Sequence, residues 1–282
     1  EMVIRDWSSD VCSSDLGKML FCSRNSGNQI LQIDGTTGAK LTPITLASNV
    51  FTYLGRNKAN TADSTWTVGL TCNDIQIDGA GNVLVANMIT SNTGRWQVWK
   101  IDLATGNGTI VVDQKDIVSD IPTAKSGTRF DAFGVWGDVN SNAVIMAVNA
   151  EATVLEAYKW IITNGVASKP VLVEIDNSGQ YFMGAQDPIK KTFTALANAG
   201  TAPRVLPLDD NYFYLDGNST FPTLVDKEGN IMDGFLKIYD NAGTVTNSRA
   251  YSALTDSITL PGTKWLMNKG QNGVKEFQIG ND

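Results

Sequence analysis

Histidine is absent from the 282 residues of the chain. Its absence excludes a Ser-His-Asp triad, a histidine general base and the most common metal ligand of proteins from this sequence. Acid–base chemistry remains open to pairs of carboxylates. The candidates are Asp74, Asp131, Asp138, Glu151, Asp187, Asp209, Asp210 and Asp216. Half of them lie beside Gly or Asn, which favours a simpler interpretation as turn residues that accept backbone hydrogen bonds.

Other absences narrow the class of protein. No run of eighteen apolar residues exists, so we expect no helix that spans a membrane. The net charge is −7 and basic residues do not cluster, which argues against a nucleic-acid partner. Three cysteines are too few for a disulfide framework. Cys22 and Cys72 could form one bridge or remain two buried thiols, and the sequence leaves both alternatives open.

The most regular stretch of the chain, Asn73 to Asp113, predicts four short β-strands joined by turns. Its first strand ends in a Gly-Ala-Gly-Asn turn. The apolar segment 83–86 follows and predicts a strand buried on both faces. Segments 96–101 and 109–112 complete the set. The link 87–95 is polar, and we expect it to be exposed.

Weaker copies of this stretch recur along the chain. Comparable positions lie about 61 residues apart on average, at Gly17, Gly81, Ser141, Asp210 and Gly262. The copies share an order of strands and turns that contain Asp, Asn and Gly. Four-stranded meanders repeated in this way are typical of a β-propeller, whose neighbouring blades bury one another's faces. We predict an all-β propeller of about five four-stranded blades.

The predicted array is incomplete at both ends, because the first copy lacks an opening strand and the last lacks a closing strand. A pair of β-sandwiches is the main alternative fold, although sandwiches do not usually share an internal period. The segment 6–16, DWSSDVCSSDL, resembles the translation of a sequencing-library adapter. That resemblance implies a metagenomic fragment with a non-native leader, residues 1–16, which we expect to be disordered. Residues 17–282 then form the partial propeller.

The repeats also resemble a group of known proteins. Over nearly all of residues 17–282, their style is similar to that of uncharacterised propeller lipoproteins exported by gut-type Gram-negative bacteria. The WD dipeptides and kelch double-glycine motifs of other propellers are absent. Such lipoproteins are often encoded near glycan-uptake systems. The resemblance therefore implies an extracytoplasmic location, in the periplasm or at the cell surface, and a role connected with glycans.

An asparagine follows the second strand of each copy. These residues are Asn25, Asn87, Asn149, Asn218 and Asn268. In a propeller they would lie on one face near the axis, where a ring of amides could bind a sugar or another neutral polar ligand. Arg95, Trp96 and Trp136 are expected near the same face and would add an aromatic platform and a cationic donor. Alternatively, asparagine simply tolerates the left-handed conformation at a strand exit.

One turn has a spacing that suggests calcium. Asp138, Asn140 and Asn142 match the alternating oxygen ligands at the start of a Ca²⁺ loop. Ala143 stands where such a loop needs glycine, and the distant bidentate glutamate is not found. A hairpin turn is the favoured interpretation, so no cofactor is expected.

Three functions remain open. We favour a non-catalytic exported propeller that binds a ligand or partner on the strand-exit face, with a glycan as the preferred ligand class. The second hypothesis is a carboxylate-dependent propeller hydrolase or lyase, which predicts two carboxylates about 5–10 Å apart across a pocket. The third is a structural scaffold for protein interactions, which predicts a flat apolar patch.

Overall fold

The structure is a computed structural model that describes residues 10–13, 17–22, 27–55, 64–149, 156–175, 204–217, 220–239, 245–252, 264–270 and 273–279. These residues form 22 β-strands, and no α-helix occurs among them. Over the same part of the chain, no helix long and apolar enough to cross a membrane is found.

The strands form antiparallel sheets in which each strand pairs mainly with the next one along the chain. The first sheet contains β1 (Asp10–Ser13), β2 (Lys18–Phe21), β3 (Gln29–Asp34) and β4 (Lys40–Thr45). A separate hairpin contains β5 (Thr52–Gly55) and β6 (Ser64–Thr67). The second sheet contains β7 (Asp74–Ile77), β8 (Val83–Ala86), β9 (Trp96–Ile101) and β10 (Gly108–Gln114).

The remaining strands form two larger sheets and a final hairpin. The third sheet contains β11 (Phe133–Gly137), β12 (Asn142–Val148), β13 (Glu156–Thr163), β14 (Val166–Ala167) and β15 (Val171–Glu174). The fourth contains β16 (Arg204–Pro207), β17 (Tyr212–Gly217), β18 (Thr220–Asp226), β19 (Ile231–Tyr239) and β20 (Val245–Ser252). The final hairpin contains β21 (Lys264–Gly270) and β22 (Gly273–Ile279).

The sheets are the blades of a propeller. The first strands of successive sheets, β1, β7, β11 and β16, are neighbours, and the final hairpin contacts the fourth sheet through β21 and β17. Each sheet thus lies beside the next around a shared inner side, the arrangement expected of stacked meanders. The prediction of an all-β propeller built from four-stranded units is confirmed. The two-stranded hairpin at 264–279 corresponds to the fifth predicted unit.

The opening strand of the first blade comes from an unexpected place. The first copy was predicted to begin near Gly17 without this strand, but β1 pairs with β2 and supplies it, with Asp10 opposite Phe21 and Ser13 opposite Lys18. β1 lies inside the segment that we expected to be a disordered leader. Backbone pairing explains this difference, because an exposed strand edge can bond to any extended segment regardless of its side chains. The leader assignment itself remains a prediction.

Aromatic side chains fill the space between the second and third blades. The Trp96 ring centroid lies 4.7 Å from that of Trp160 and 5.4 Å from that of Phe130. Tyr158 packs edge-on against Phe130 at 5.1 Å. All four side chains are buried. Tightly packed aromatic clusters of this size contribute strongly to stability, so this interface holds two blades at a fixed distance.

Two glycines mark where the outer strand of one blade meets the third turn of the next. A Cβ atom on Gly106 would lie 2.1 Å from the carbonyl oxygen of Thr45, at the end of β4. A Cβ atom on Gly229 would lie 2.0 Å from the carbonyl oxygen of Glu174, at the end of β15. The first contact is supported by a 2.9 Å hydrogen bond from the Ala47 N–H to the Gly106 oxygen. Blades one and two therefore meet in the same way as blades three and four.

Replacing Gly106 with alanine tests this close approach. Gly106 has φ +72°, and Gly81 has φ +84° with open space around its α-carbon. Gly81→Ala should cost about 1 kcal/mol of unfolding free energy, from backbone strain alone. Gly106→Ala should cost roughly 1–3 kcal/mol more, because the added methyl group also overlaps backbone atoms. Equal losses in urea denaturation would contradict the proposed contact.

The turns between strands are stabilised by one recurring type of hydrogen bond, from a backbone N–H to an aspartate side chain. Six aspartates each accept a hydrogen bond on Oδ1 from the backbone N–H two residues later, and they are Asp34, Asp78, Asp102, Asp138, Asp209 and Asp226. Hydrogen bonds from Thr37 lower the pKa of Asp34, and those from Thr105 and Ala104 lower the pKa of Asp102. The carboxyl groups of Asp34 and Asp102 therefore accept these hydrogen bonds more strongly when they are ionised.

Stability should consequently fall in acid. A carboxylate whose pKa is lowered by folding stabilises the protein above its unfolded pKa, near 3.9 for aspartate, and that contribution is lost as the pH falls through the folded pKa. We expect the urea midpoint to change little between about pH 7 and 5 and to drop below about pH 4. Asp34→Asn should flatten the acid limb, and an unchanged acid limb would contradict this role of the turn.

Candidate functional site

The strand-exit face, defined as the end of the sheets at which β8 and β12 finish, contains the predicted site. Two connections cover it near the second blade, residues 87–95 and 115–131. Asn92 joins them, because its Nδ2 donates to the backbone oxygen of Ala124 at 3.0 Å and its backbone oxygen accepts from the Ile117 N–H at 2.9 Å. Ile89 and Phe130 form a β-bridge between the same connections.

The connection 87–95 is less exposed than the sequence predicts. Met88, Ile89 and Asn92 are all buried in it. The prediction of exposure is confirmed for Thr90 and Thr93 and wrong for these three residues, because the Asn92 side chain uses its polarity to bond the neighbouring connection. Only the last residue of this segment, Arg95, presents a charged group to the surface.

Asn87 is a structural residue in this arrangement. Its side chain is buried. Nδ2 donates to the backbone oxygens of Arg95 at 3.0 Å, Met88 at 3.2 Å and Gly69 at 3.3 Å, while Oδ1 accepts from the Gln97 N–H at 2.7 Å. The side chain of Asn87 therefore links the start of the connection 87–95 to its end.

Asn149 has a comparable position in the third blade. It is fully buried, and its Oδ1 accepts from the Arg129 N–H at 3.0 Å. Its Nδ2 donates to Glu156 Oε2 at 3.2 Å, an oxygen that also accepts from the Tyr158 hydroxyl at 3.0 Å. Burial and the adjacent Glu156 raise the pKa of Tyr158, so the hydroxyl remains a donor. The two asparagines thus occupy equivalent places and bond to the protein itself.

The other predicted site residues are placed differently. Trp96 is 1% exposed and belongs to the aromatic core, so its indole faces other rings instead of solvent. Trp136 is half-buried and packs against the core between the third and fourth blades. Asn25 and Asn218 lie outside the described residues, and only the backbone of Asn268 is described, in β21. A ligand role for this predicted set remains a prediction.

Arg95 does form part of a polar cluster. Its Nε donates to Asp113 Oδ1 at 2.6 Å and its terminal nitrogen pairs with Asp113 Oδ2, so the contact is bidentate. Gln97 Nε2 donates to Asp113 Oδ1 at 3.1 Å, and Trp99 Nε1 donates to Gln97 Oε1 at 3.0 Å. The Arg95 guanidinium lies over the ring of Tyr53, 4.1 Å from its centroid. These contacts fix the charged pair in one geometry.

The hairpin of β5 and β6 supplies the aromatic side of this cluster. Tyr53 and Trp66 are opposite each other across the two strands and therefore share a face. Trp66 Nε1 donates to the Gly55 oxygen at 3.1 Å, and a Cβ atom on Gly55 would lie only 3.0 Å from the Tyr53 ring. Both aromatic side chains are partly buried and partly exposed. We call Tyr53, Trp66, Arg95 and Asp113 the hairpin site.

Sequence reasoning missed three of these four residues. No strand was predicted between residues 49 and 70, although Ser-Thr-Trp-Thr at 64–67 alternates in the manner of an exposed strand. A matching segment at 52–55 could have indicated the hairpin and its aromatic pair. No signal in the sequence links Asp113, at the end of β10, to Arg95, because that contact depends on the register of β9 and β10.

The turn that suggested calcium is already bonded within the protein. Asp138 Oδ1 accepts from the Asn140 N–H at 2.8 Å, and the Asp138 Oδ2 accepts from the Ser141 hydroxyl at 3.2 Å. The ammonium group of Lys100 donates to Asn140 Oδ1. A cation would have to displace these donors to reach the oxygens of Asp138 and Asn140. Calcium binding with Asn142 stays the alternative to the predicted hairpin turn.

Comparison with known proteins gives only distant likenesses. No protein-family model and no curated protein matches the chain. A DUF4623 family protein from Bacteroides eggerthii is 13% identical, with a TM-score of 0.44, over 90% of this chain and 66% of that one. A Bacteroides fragilis protein assigned as a 6-phosphogluconolactonase is 13% identical, with a TM-score of 0.39, over 96% and 70%.

A third likeness is to hydrazine synthase from Kuenenia stuttgartiensis, 11% identical with a TM-score of 0.37, over 77% of this chain and 63% of that one. The chain thus spans just under two thirds of the length of this protein and of the Bacteroides eggerthii protein. Likenesses this distant carry no argument about activity. The class of the protein, a β-propeller, follows from its own sheet topology.

Asn87→Ala tests the structural role of the strand-exit amide. The substitution leaves the buried Gln97 N–H and several backbone oxygens without their partner, which should cost roughly 2 kcal/mol of unfolding free energy. Asn107→Ala is the matched control, since Asn107 is exposed in a turn and should change stability by less than about 0.5 kcal/mol. A loss for Asn87→Ala no larger than the control would contradict the assignment.

Proposed function

We propose that the chain is a non-catalytic, exported β-propeller that binds a glycan at the hairpin site on its strand-exit side. The observation that carries the proposal is that the partly exposed Trp66 lies opposite Tyr53 in the hairpin, while Tyr53 contacts a fixed arginine–aspartate pair. A sugar ring presents C–H groups on one face and hydroxyl groups around its edge. Aromatic faces suit the former, and charged donors and acceptors suit the latter.

Charge favours a neutral ligand. The Arg95 guanidinium and the Asp113 carboxylate neutralise each other, so the hairpin site offers hydrogen bonds without a net charge. The side chains of Arg95 and Asp113 are 19% and 33% exposed, which leaves polar edges accessible to a ligand. A neutral polyol can bond to both partners without breaking the pair, whereas an anion would have to compete with Asp113 for Arg95.

The non-catalytic part of the proposal is supported by where several candidate carboxylates are used. Asp138 and Asp209 accept backbone hydrogen bonds in turns. Asp74 Oδ2 accepts from the Phe133 N–H at 2.9 Å. Asp131 pairs with the Nε of Arg129 at 2.8 Å. Export is supported by the resemblance of the repeats to exported propellers, and the hydrolase and scaffold hypotheses are kept as outcomes of the test.

The test is calorimetric titration of the whole chain with neutral oligosaccharides chosen from a glycan array. We expect binding to the parent chain and a loss of about tenfold or more in affinity for Trp66→Ala, since one aromatic contact contributes about 1.5 kcal/mol. Thr65→Ala, on the opposite face of the same strand, should bind like the parent. Trp66→Phe keeps a ring in the hairpin and should lose less affinity than Trp66→Ala.

Three outcomes would overturn the proposal. They are the absence of binding to any neutral glycan, equal affinity of the parent and Trp66→Ala, and cleavage of the bound glycan, which would favour the hydrolase. Circular dichroism of each variant shows whether the hairpin change has disturbed the fold.

A further inference from the structure

Two buried cysteines meet between the first blade and the second. Cys22 follows β2, and Cys72 lies two residues before β7. Their Sγ atoms are 2.7 Å apart, which is closer than the roughly 3.5–4.0 Å at which non-bonded heavy atoms usually pack. The exposed fractions are 2% for Cys22 and 0% for Cys72. The two side chains are therefore in direct contact and shielded from solvent.

The surrounding structure holds this contact in place. Both residues belong to the core cluster that contains Leu20, Phe51 and Ile75. Cys72 has φ +54°, a left-handed conformation that is uncommon for residues other than glycine. The Cys72 thiol also lies 3.4 Å from the Gln29 oxygen. Close packing of the core around both side chains limits how far the two sulfurs can move apart.

We infer that Cys22 and Cys72 form a structural disulfide that fastens the first blade to the entry of the second. The bond would join residues 50 positions apart. The enclosed segment contains the outer strands of the first blade and the β5–β6 hairpin that presents Tyr53 and Trp66. The cross-link therefore anchors both ends of the segment that supplies the aromatic side of the hairpin site.

The bond forms by exchange with an oxidising disulfide, which is a low-molecular-weight disulfide or, in a bacterial periplasm, the disulfide of an oxidoreductase. One protein thiolate attacks that disulfide, which breaks its S–S bond and releases one of its two sulfurs as a thiol. The second protein thiolate then attacks the protein sulfur of the mixed disulfide and releases the other sulfur as a thiol. The two protein sulfurs are oxidised, the oxidising disulfide is reduced, and the two protons are taken up by the leaving thiolates.

Burial decides when this exchange takes place. Burial raises the pKa of the Cys22 thiol, and neither sulfur is exposed in the folded chain. An oxidising disulfide can therefore reach the thiols only before the first two blades pack. The redox state of the compartment in which the chain folds fixes the state of the pair, and the completed bond resists reductants afterwards.

Production of the whole chain in two compartments tests the inference. The chain is directed to an oxidising periplasm in one preparation and kept in a reducing cytosol in the other. Each is alkylated while folded, unfolded under non-reducing conditions, and alkylated with a second reagent before peptide mapping. We expect the periplasmic protein to yield one linked peptide pair that contains Cys22 and Cys72, and the cytosolic protein to yield both as thiols that react only after unfolding.

The linked protein should also be more stable. Its thermal midpoint should exceed that of the cytosolic protein by about 5–10 °C, a typical gain from a disulfide in a domain of this size. Cys12→Ala should leave the linked pair and the midpoint unchanged, whereas Cys22→Ala and Cys72→Ala should each abolish the difference between the preparations. Two alkylated thiols at positions 22 and 72 in the periplasmic protein, or a link to Cys12, would overturn the inference, and this mapping requires no variant to fold.

Discussion

The structure depends on how closely one blade can approach the next. At Gly106 and Gly229, a turn touches the backbone of the preceding blade, and a side chain at either position would overlap a carbonyl oxygen. Between blades two and three, the Gly79 N–H donates to the Gly137 oxygen at 2.7 Å, and Asp78 Oδ2 accepts from the Val139 N–H at 2.9 Å. These backbone contacts hold the neighbouring sheets close together. The remaining space between the second and third blades is filled by large rings such as Trp96 and Trp160.

That packing separates the polar residues of the strand-exit side into two groups. Amides near the inner part of the blades, Asn87 and Asn149, are enclosed and bond to backbone and neighbouring side chains. Polar side chains on the outer part of the blades, where the β5–β6 hairpin lies against the second blade, remain partly exposed to solvent. Arg95 and Asp113 belong to this second group, so the outer hairpin is where a ligand could meet both aromatic and charged groups.

The sequence predicts the architecture well because the fold depends on periodic features that are visible along the chain. The apolar run at 83–86 is buried throughout, and the Asp-Gly turns have the expected bonds. The site was harder to predict. An asparagine that exits a strand has the same sequence signature whether it binds a ligand or closes a loop, and only burial distinguishes Asn87 from an exposed amide. Likewise, the contact of Arg95 with Tyr53 joins the connection 87–95 to the separate β5–β6 hairpin, which no local pattern encodes.

The central claim is that ligands contact the hairpin site and leave the aromatic core untouched. The most direct measurement is the set of indole N–H signals from the seven tryptophans in a nitrogen-15 NMR titration with a glycan that binds. Trp66, identified by the signal lost in Trp66→Phe, should shift with the binding curve, while Trp96 and Trp160 should stay in place. A bound glycan that leaves the Trp66 signal unmoved, or that shifts Trp136 instead, would contradict this account.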